Sequence, residues 1–154
     1  MTESKEFKYL DMGLMEKMCH KLAVAVFDTK EDPIAFFHEH EIDRLDAALN
    51  LPKSGMGNKE FYPTLVDKAI ILYYTLNKNH PFKNGNKRIS AASLLVFLMI
   101  NDFWLLVENE ELYEKTLYVA KSDRTEKDKI LIELKKWIGD NLVPLSEIIK
   151  SFNK

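Results

Sequence analysis

Several features that would fix a protein's class at once are missing from this chain. It has a single cysteine, Cys19, so no internal disulfide can form and a cross-linked scaffold is excluded. Cys19 falls in an apolar helical pattern and is expected to be a buried thiol rather than a nucleophile. Proline and glycine number five each, too few for a low-complexity linker, and there is no internal repeat. One domain over residues 1–154 is expected, large enough for a single well-buried core. No apolar run is long enough to span a bilayer. The longest, Ile89 to Ile100, covers 12 residues and is broken only by Ser90 and Ser93. A span needs roughly 20, so this run reads as a core helix and no membrane partner is expected. Basic charge is not in excess either. Lys and Arg total 22 against 24 for Asp and Glu, a net charge of −2. Nucleic-acid binders usually carry a basic surplus, so no nucleic-acid partner is expected. Met1 to Lys8 is polar and charged, unlike a secretory signal, and a cytoplasmic chain is expected.

What is present is helical periodicity. Leu10, Leu14, Met18 and Leu22 repeat every four residues, and Asp11 can cap the start. Pro33 separates that pattern from Ile42, Leu45 and Leu49, which Pro52 ends. Two glycines in the stretch Ser54 to Glu60 mark a flexible loop or small hairpin. Pro63 suits the first turn of the next helix. There Leu65, Ala69, Leu72 and Leu76 form a stripe widened by Val66, Ile70 and Tyr73. A helix apolar on nearly every side is a central one. It is expected to end near Asn77. A short extended piece is expected over Leu105 to Val107, then a helix from Glu108 to about Lys121. Another should start at Thr125, with Asp128 completing a capping box, and run to Gly139. A short helix should follow Pro144. The expected class is all-α, with one small irregular flap.

Nine residues between the two most apolar helices stand apart: His80-Pro81-Phe82-Lys83-Asn84-Gly85-Asn86-Lys87-Arg88. A turn that opens a buried helix offers unpaired N–H groups and the positive end of the macrodipole, a ready anion site. Lys87 and Arg88 sit at that start. Cations there oppose the dipole and cost roughly 0.3–1 kcal/mol each. Local stability alone would place Asp or Glu, so the charge argues for an anionic ligand. Arg can grip phosphate oxygens with two parallel donors, whereas Lys is a point charge. Gly85 suits a turn whose backbone approaches a ligand closely. An imidazole such as that of His80 can accept a proton from an incoming hydroxyl. Phe82, one aromatic in a polar loop, is expected to anchor the loop in the core. Trp104 and Tyr113 can stack on a base, though core packing is the commoner use of both.

The stretch resembles the signature of the Fic/Doc (Fido) family, His-x-Phe-x-(Asp/Glu)-Gly-Asn-(Gly/Lys)-Arg. The order of elements from about Ile42 to Ile138 is also similar to that family. The resemblance implies a Fic/Doc-like helical bundle with a flap before the central helix. It implies His80 as the base that activates a hydroxyl of a protein substrate. It places Gly85 and Asn86 on the anion hole, Arg88 on the terminal phosphates, and Lys83 and Lys87 beside them. The flap Ser54, Gly55, Met56, Gly57, Asn58 and Lys59 would hold the target segment by strand-like main-chain pairing. ATP is the implied co-substrate, with Mg²⁺.

Three positions depart from the family's adenylyl-transferring form. Lys87 stands where those members have Gly, which is the Doc-like choice. Ala91 stands where a second arginine would be. Asn84 occupies the position of the magnesium-binding carboxylate, and a neutral amide holds a hard ion less strongly than an anionic oxygen. The first two lean to phosphoryl rather than adenylyl transfer. The third leaves open a non-catalytic module that binds nucleotide or peptide. The family is often silenced by an inhibitory helix or an antitoxin. The nearest internal candidate is Thr2-Glu3-Ser4-Lys5-Glu6-Phe7, in which Phe7 spoils the last position, so a separate inhibitory partner is expected.

Overall fold

The computed structural model describes residues 6–27 and 33–153; four of the residues in the candidate inhibitory stretch, 2–5, lie outside them. Asp11 does cap the first helix, its carboxylate accepting from the Leu14 N–H at 2.8 Å. That helix comes in three pieces: α1 (Met12–Leu14), a π-helical stretch (Met15–His20) and α2 (Lys21–Phe27). The fully buried side is Leu10, Met15, Cys19 and Ala23, while Leu14, Met18 and Leu22 pack half-buried at its edge. A strict four-residue spacing drifts around an α-helix of 3.6 residues per turn. The wider π turn keeps it on one face.

α3 (Ile42–Asn50) follows and closes in a 3-10 turn, Leu51–Lys53, at Pro52. The glycine-containing stretch is a two-stranded hairpin. β1 (Gly55–Met56) pairs antiparallel with β2 (Lys59–Glu60), with Gly55 opposite Glu60. Gly57 turns the tip at φ 61°. α4 (Leu65–Asn79) opens on a capping box formed by Thr64 and Asp67. Pro63 therefore lies outside the helix, and the helix runs one half-turn past the expected end at Asn77. α5 (Asn86–Ile100) is the second central helix. Every residue of α4 from Lys68 to Asn77, and of α5 from Ile89 to Leu98, is buried.

β3 (Phe103–Leu105) starts two residues earlier than expected and pairs antiparallel with β4 (Leu142–Pro144). α6 (Asn109–Lys121) and α7 (Lys127–Asn141) pack on the central pair, burying Leu112, Val119, Ile130, Leu134 and Ile138. The expected cap at Thr125 does not form. Its N–H and hydroxyl both donate to Asp123 Oδ1 at 2.9 Å, and a 3-10 turn over Arg124–Glu126 leads into α7. α8 (Leu145–Phe152) follows β4. The fold is helical, with only these small strand pairs, as the sequence predicts. Among the described residues no helix is long and apolar enough to cross a membrane.

Candidate functional site

α4 and α5 meet at the nine-residue motif. His80 is the C-cap of α4 in the left-handed region, φ 49° and ψ 59°, and is exposed. Left-handed backbone is uncommon for a residue with a Cβ. It ends the helix abruptly and sends the chain back over the top of α3. Two guanidinium groups hold the last turn: Arg44 donates to Asn79 O at 3.4 Å and Arg124 to Lys78 O at 3.1 Å.

The loop beyond is built like a strand end. Glu41 N–H donates to Pro81 O at 2.8 Å, Lys83 N–H donates to Glu39 O at 3.3 Å, and His40 and Phe82 form an antiparallel bridge. Phe82 is buried, as expected. Its ring lies among those of Phe37, His40 and His20, at centroid distances of 5.9, 6.0 and 6.2 Å. His20 Nε2 bonds Ala35 O at 2.6 Å, and His40 Nδ1 bonds Phe37 O at 2.7 Å. These histidines fix the segment that braces the loop.

Asn86 is buried and faces back into the loop. Its amide N–H donates to Phe82 O and its Oδ1 accepts from Phe82 N–H, both at 2.9 Å. What the side chain does here is hold the turn in shape. Gly85 caps α5 at φ 78° with no side-chain bond. A Cβ on it would stand 2.9 Å from Ile34 Cγ2, so glycine is required both for the backbone and for the space.

The first turn of α5 carries no acidic residue. Lys87 is exposed, and Arg88 is half-buried, donating to Phe27 O at 3.4 Å. His80, Lys83, Asn84, Gly85, Asn86, Lys87 and Arg88 line one cleft of about 570 Å³ that is open to solvent. The predicted motif residues are thus brought together, with Phe82 beneath them. No carboxylate among the described residues lines the cleft. Lys87 and Arg88 also border a smaller chamber of ≈ 270 Å³ with Phe27, Ala91, Leu112 and Tyr113. Tyr113 is exposed beside it, whereas Trp104 packs against the core.

The flap stands apart from the cleft lining, at the other end of α4. Met56 at its tip is 75% exposed. Lys68 of α4 is fully buried beneath its base and donates to Pro52 O at 3.1 Å and to Glu60 Oε1 at 3.2 Å.

A magnesium site made by the chain does not fit these residues. Asn84 is exposed and neutral, its neighbours are cations, and among the described residues no three His, Cys, Asp or Glu side chains cluster to hold a metal.

The model of the Fic/DOC family matches residues 10–98. The chain belongs to that family. The match runs from the first helix through the motif to nearly the end of α5, so it takes in the brace as well as the cleft. Toxin Doc of Mycolicibacterium smegmatis (strain ATCC 700084 / mc(2)155) is 39% identical over 64 residues, covering 42% of this chain. Those residues are 49% of that protein, so the chain spans about half the length of this Doc relative. No solved structure matches. Within this Fic/DOC chain, motif reading missed the braces: Ile34, Phe37, Glu39, His40 and His20. For Phe37, Glu39 and His40 the one signal was the run Phe36-Phe37-His38-Glu39-His40, rich in rings yet without helical periodicity; Ile34 and His20 had none.

Proposed function

We propose that this protein transfers a phosphoryl group from ATP to a hydroxyl of a protein target. The observation that carries the reading is the cleft at the start of α5: a helix N-terminus with three cations, of which Lys83 pairs with Glu39 at 3.8 Å, and an exposed histidine on its rim. Such a surface suits a polyphosphate. His80 takes the proton from the target hydroxyl. The oxygen forms a bond to the γ-phosphorus, the bond from that phosphorus to the β–γ bridging oxygen breaks, and ADP leaves. Arg88 and Lys87 neutralise charge on the phosphates, and the backbone N–H groups of Gly85 and Asn86 donate to phosphate oxygens. Positioning and charge do most of the work in this chemistry.

The target segment lies along the flap hairpin, pairing by main chain. The name of the Doc relative supports a toxin role with an antitoxin as inhibitory partner. Adenylyl transfer is the second reading, in which the α-phosphorus is attacked and pyrophosphate leaves. Lys87 at the cleft and Ala91 behind it favour the first. Asn84 favours a third, a site that holds nucleotide without turning it over.

ATP labelled at the α or the γ phosphate, incubated with bacterial lysate and magnesium, separates them. A protein band labelled from γ alone, absent with His80→Ala, is expected. A band from α label establishes adenylyl transfer instead. Tight ATP binding without a band from either label overturns both transfer readings.

A further inference from the structure

A fully buried lysine is rare unless its charge is answered. Lys68 has 0% exposure, and its ammonium sits in a built cage. Pro52 O accepts at 3.1 Å and Glu60 Oε1 at 3.2 Å. The rings of Phe7 and Tyr9 lie with centroids 5.1 and 5.5 Å from Nζ, within cation–π range. Lys53 lies over Tyr9 as well, at 5.7 Å.

The partners of Lys68 are the two legs of the flap. Pro52 is in the turn that leads into β1, and Glu60 ends β2. One ammonium therefore ties both legs to α4, and the aromatic pair from the N-terminal segment packs against it. Between the legs the hairpin is tight: a Cβ on Gly55 would stand 2.4 Å from Lys59 O. Lys68 lies on α4 and His80 caps its end, 12 residues on. At about 1.5 Å per residue that is about 18 Å along one rigid axis.

We propose that Lys68 is a positioning residue for target docking: it fixes the height of the flap above α4, and hence the distance from the flap to His80. The functional half rests on the reading given above, that the flap holds the target segment. The cost of a buried charge explains why the post is a lysine with two oxygen partners and two rings rather than an apolar contact. Its bonds are directional, so they set a position, where burial alone would set only a depth.

The test compares the full chain with Lys68→Met, which keeps the length of the side chain, and with Glu60→Gln, at a half-exposed position. Amide exchange at residues 55–60 should rise about tenfold in Glu60→Gln, as expected for loss of one charge-assisted bond, and by more in Lys68→Met, which loses both. Exchange in α5 and the dissociation constant for ATP should stay unchanged. With γ-labelled ATP and lysate titrated as the source of target, the half-saturating lysate concentration should rise about tenfold in Glu60→Gln and further in Lys68→Met, at an unchanged maximal rate. Flap exchange unaltered in both variants overturns the proposal. So does faster exchange with an unaltered half-saturating concentration, or a loss confined to maximal rate. If Lys68→Met does not fold, Glu60→Gln decides. If the unaltered protein transfers no label, the reading of function has failed, and the exchange data alone decide whether Lys68 holds the flap.

Discussion

At the scale of single residues, the motif divides into groups that face the cleft and groups that make it. Gly85 belongs to the second kind. Gly85→Ala should destabilise by about 2 kcal/mol or more, from left-handed strain of about 1–2 kcal/mol and from the contact with Ile34. Adding Ile34→Ala should recover the contact part and leave the strain, which denaturant midpoints can separate. Asn86 is the sharper case. Its family position suggests a phosphate ligand, yet its amide satisfies both buried backbone groups of Phe82. Asn86→Ala should cost about 2 kcal/mol or more, because each orphaned buried group costs about 1–3 kcal/mol. Asn86→Asp keeps the acceptor but turns an anionic oxygen toward Phe82 O, so it should destabilise as well. A denaturant melt in which Asn86→Ala matches the unaltered protein would show that the loop does not need this clamp.

At the scale of elements, α4 joins flap and cleft, and its first turn is where its stability can be tuned from outside. Thr64 and Asp67 cap it reciprocally, and Lys135 of α7 pairs with Asp67 at 3.0 Å. Burial pushes the Asp67 carboxyl up, but the Thr64 hydroxyl and the Lys135 ammonium outweigh it and hold it below its ordinary 3.8. A carboxyl lowered in the folded state stabilises above its unfolded value and loses that contribution as pH falls through the folded one. The stability gap between the unaltered protein and Asp67→Asn should therefore be full above pH 3.8 and close as pH drops below it. A gap that stays constant through acid would rule out the ion pair as its source. Thr64→Ala should cost about 1 kcal/mol. Element placement was largely legible in the sequence, because apolar stripes of the central helices report burial directly. Cap and strand details were less so. Thr125 followed by Asp128 has the capping-box spacing, but Asp123 reaches the same N–H first. Leu105 to Val107 looked extended, yet the partner strand that sets the register, Leu142–Pro144, lies far along the chain.

At the scale of the whole molecule, the cleft's cations were legible because they are contiguous in sequence, and the residues that shape the cleft were not. Ile34, Glu39, His40 and His20 reach it through tertiary contacts that no local pattern encodes. Lys68 was hidden for another reason: a lysine within an apolar helix reads as an exposed face. The core itself offers a check on how the molecule opens. Burial pushes the Cys19 thiol up to about 12, against a smaller opposing bond from Ser93. At about pH 8 a thiol reagent should modify it only through transient opening, at a rate that climbs with denaturant. Immediate stoichiometric labelling of the native protein would contradict that packing. The pairing of Glu39 and Glu41 with Lys83 and Pro81 joins segments some 40 residues apart in sequence. On the ribosome the brace emerges first and waits; His80 follows without its loop, and the cations come last. A nascent or truncated chain that stops before α5 therefore holds no portion of the cleft in working shape. Whatever the cleft does can begin only once synthesis has passed the motif, a delay written into chain order.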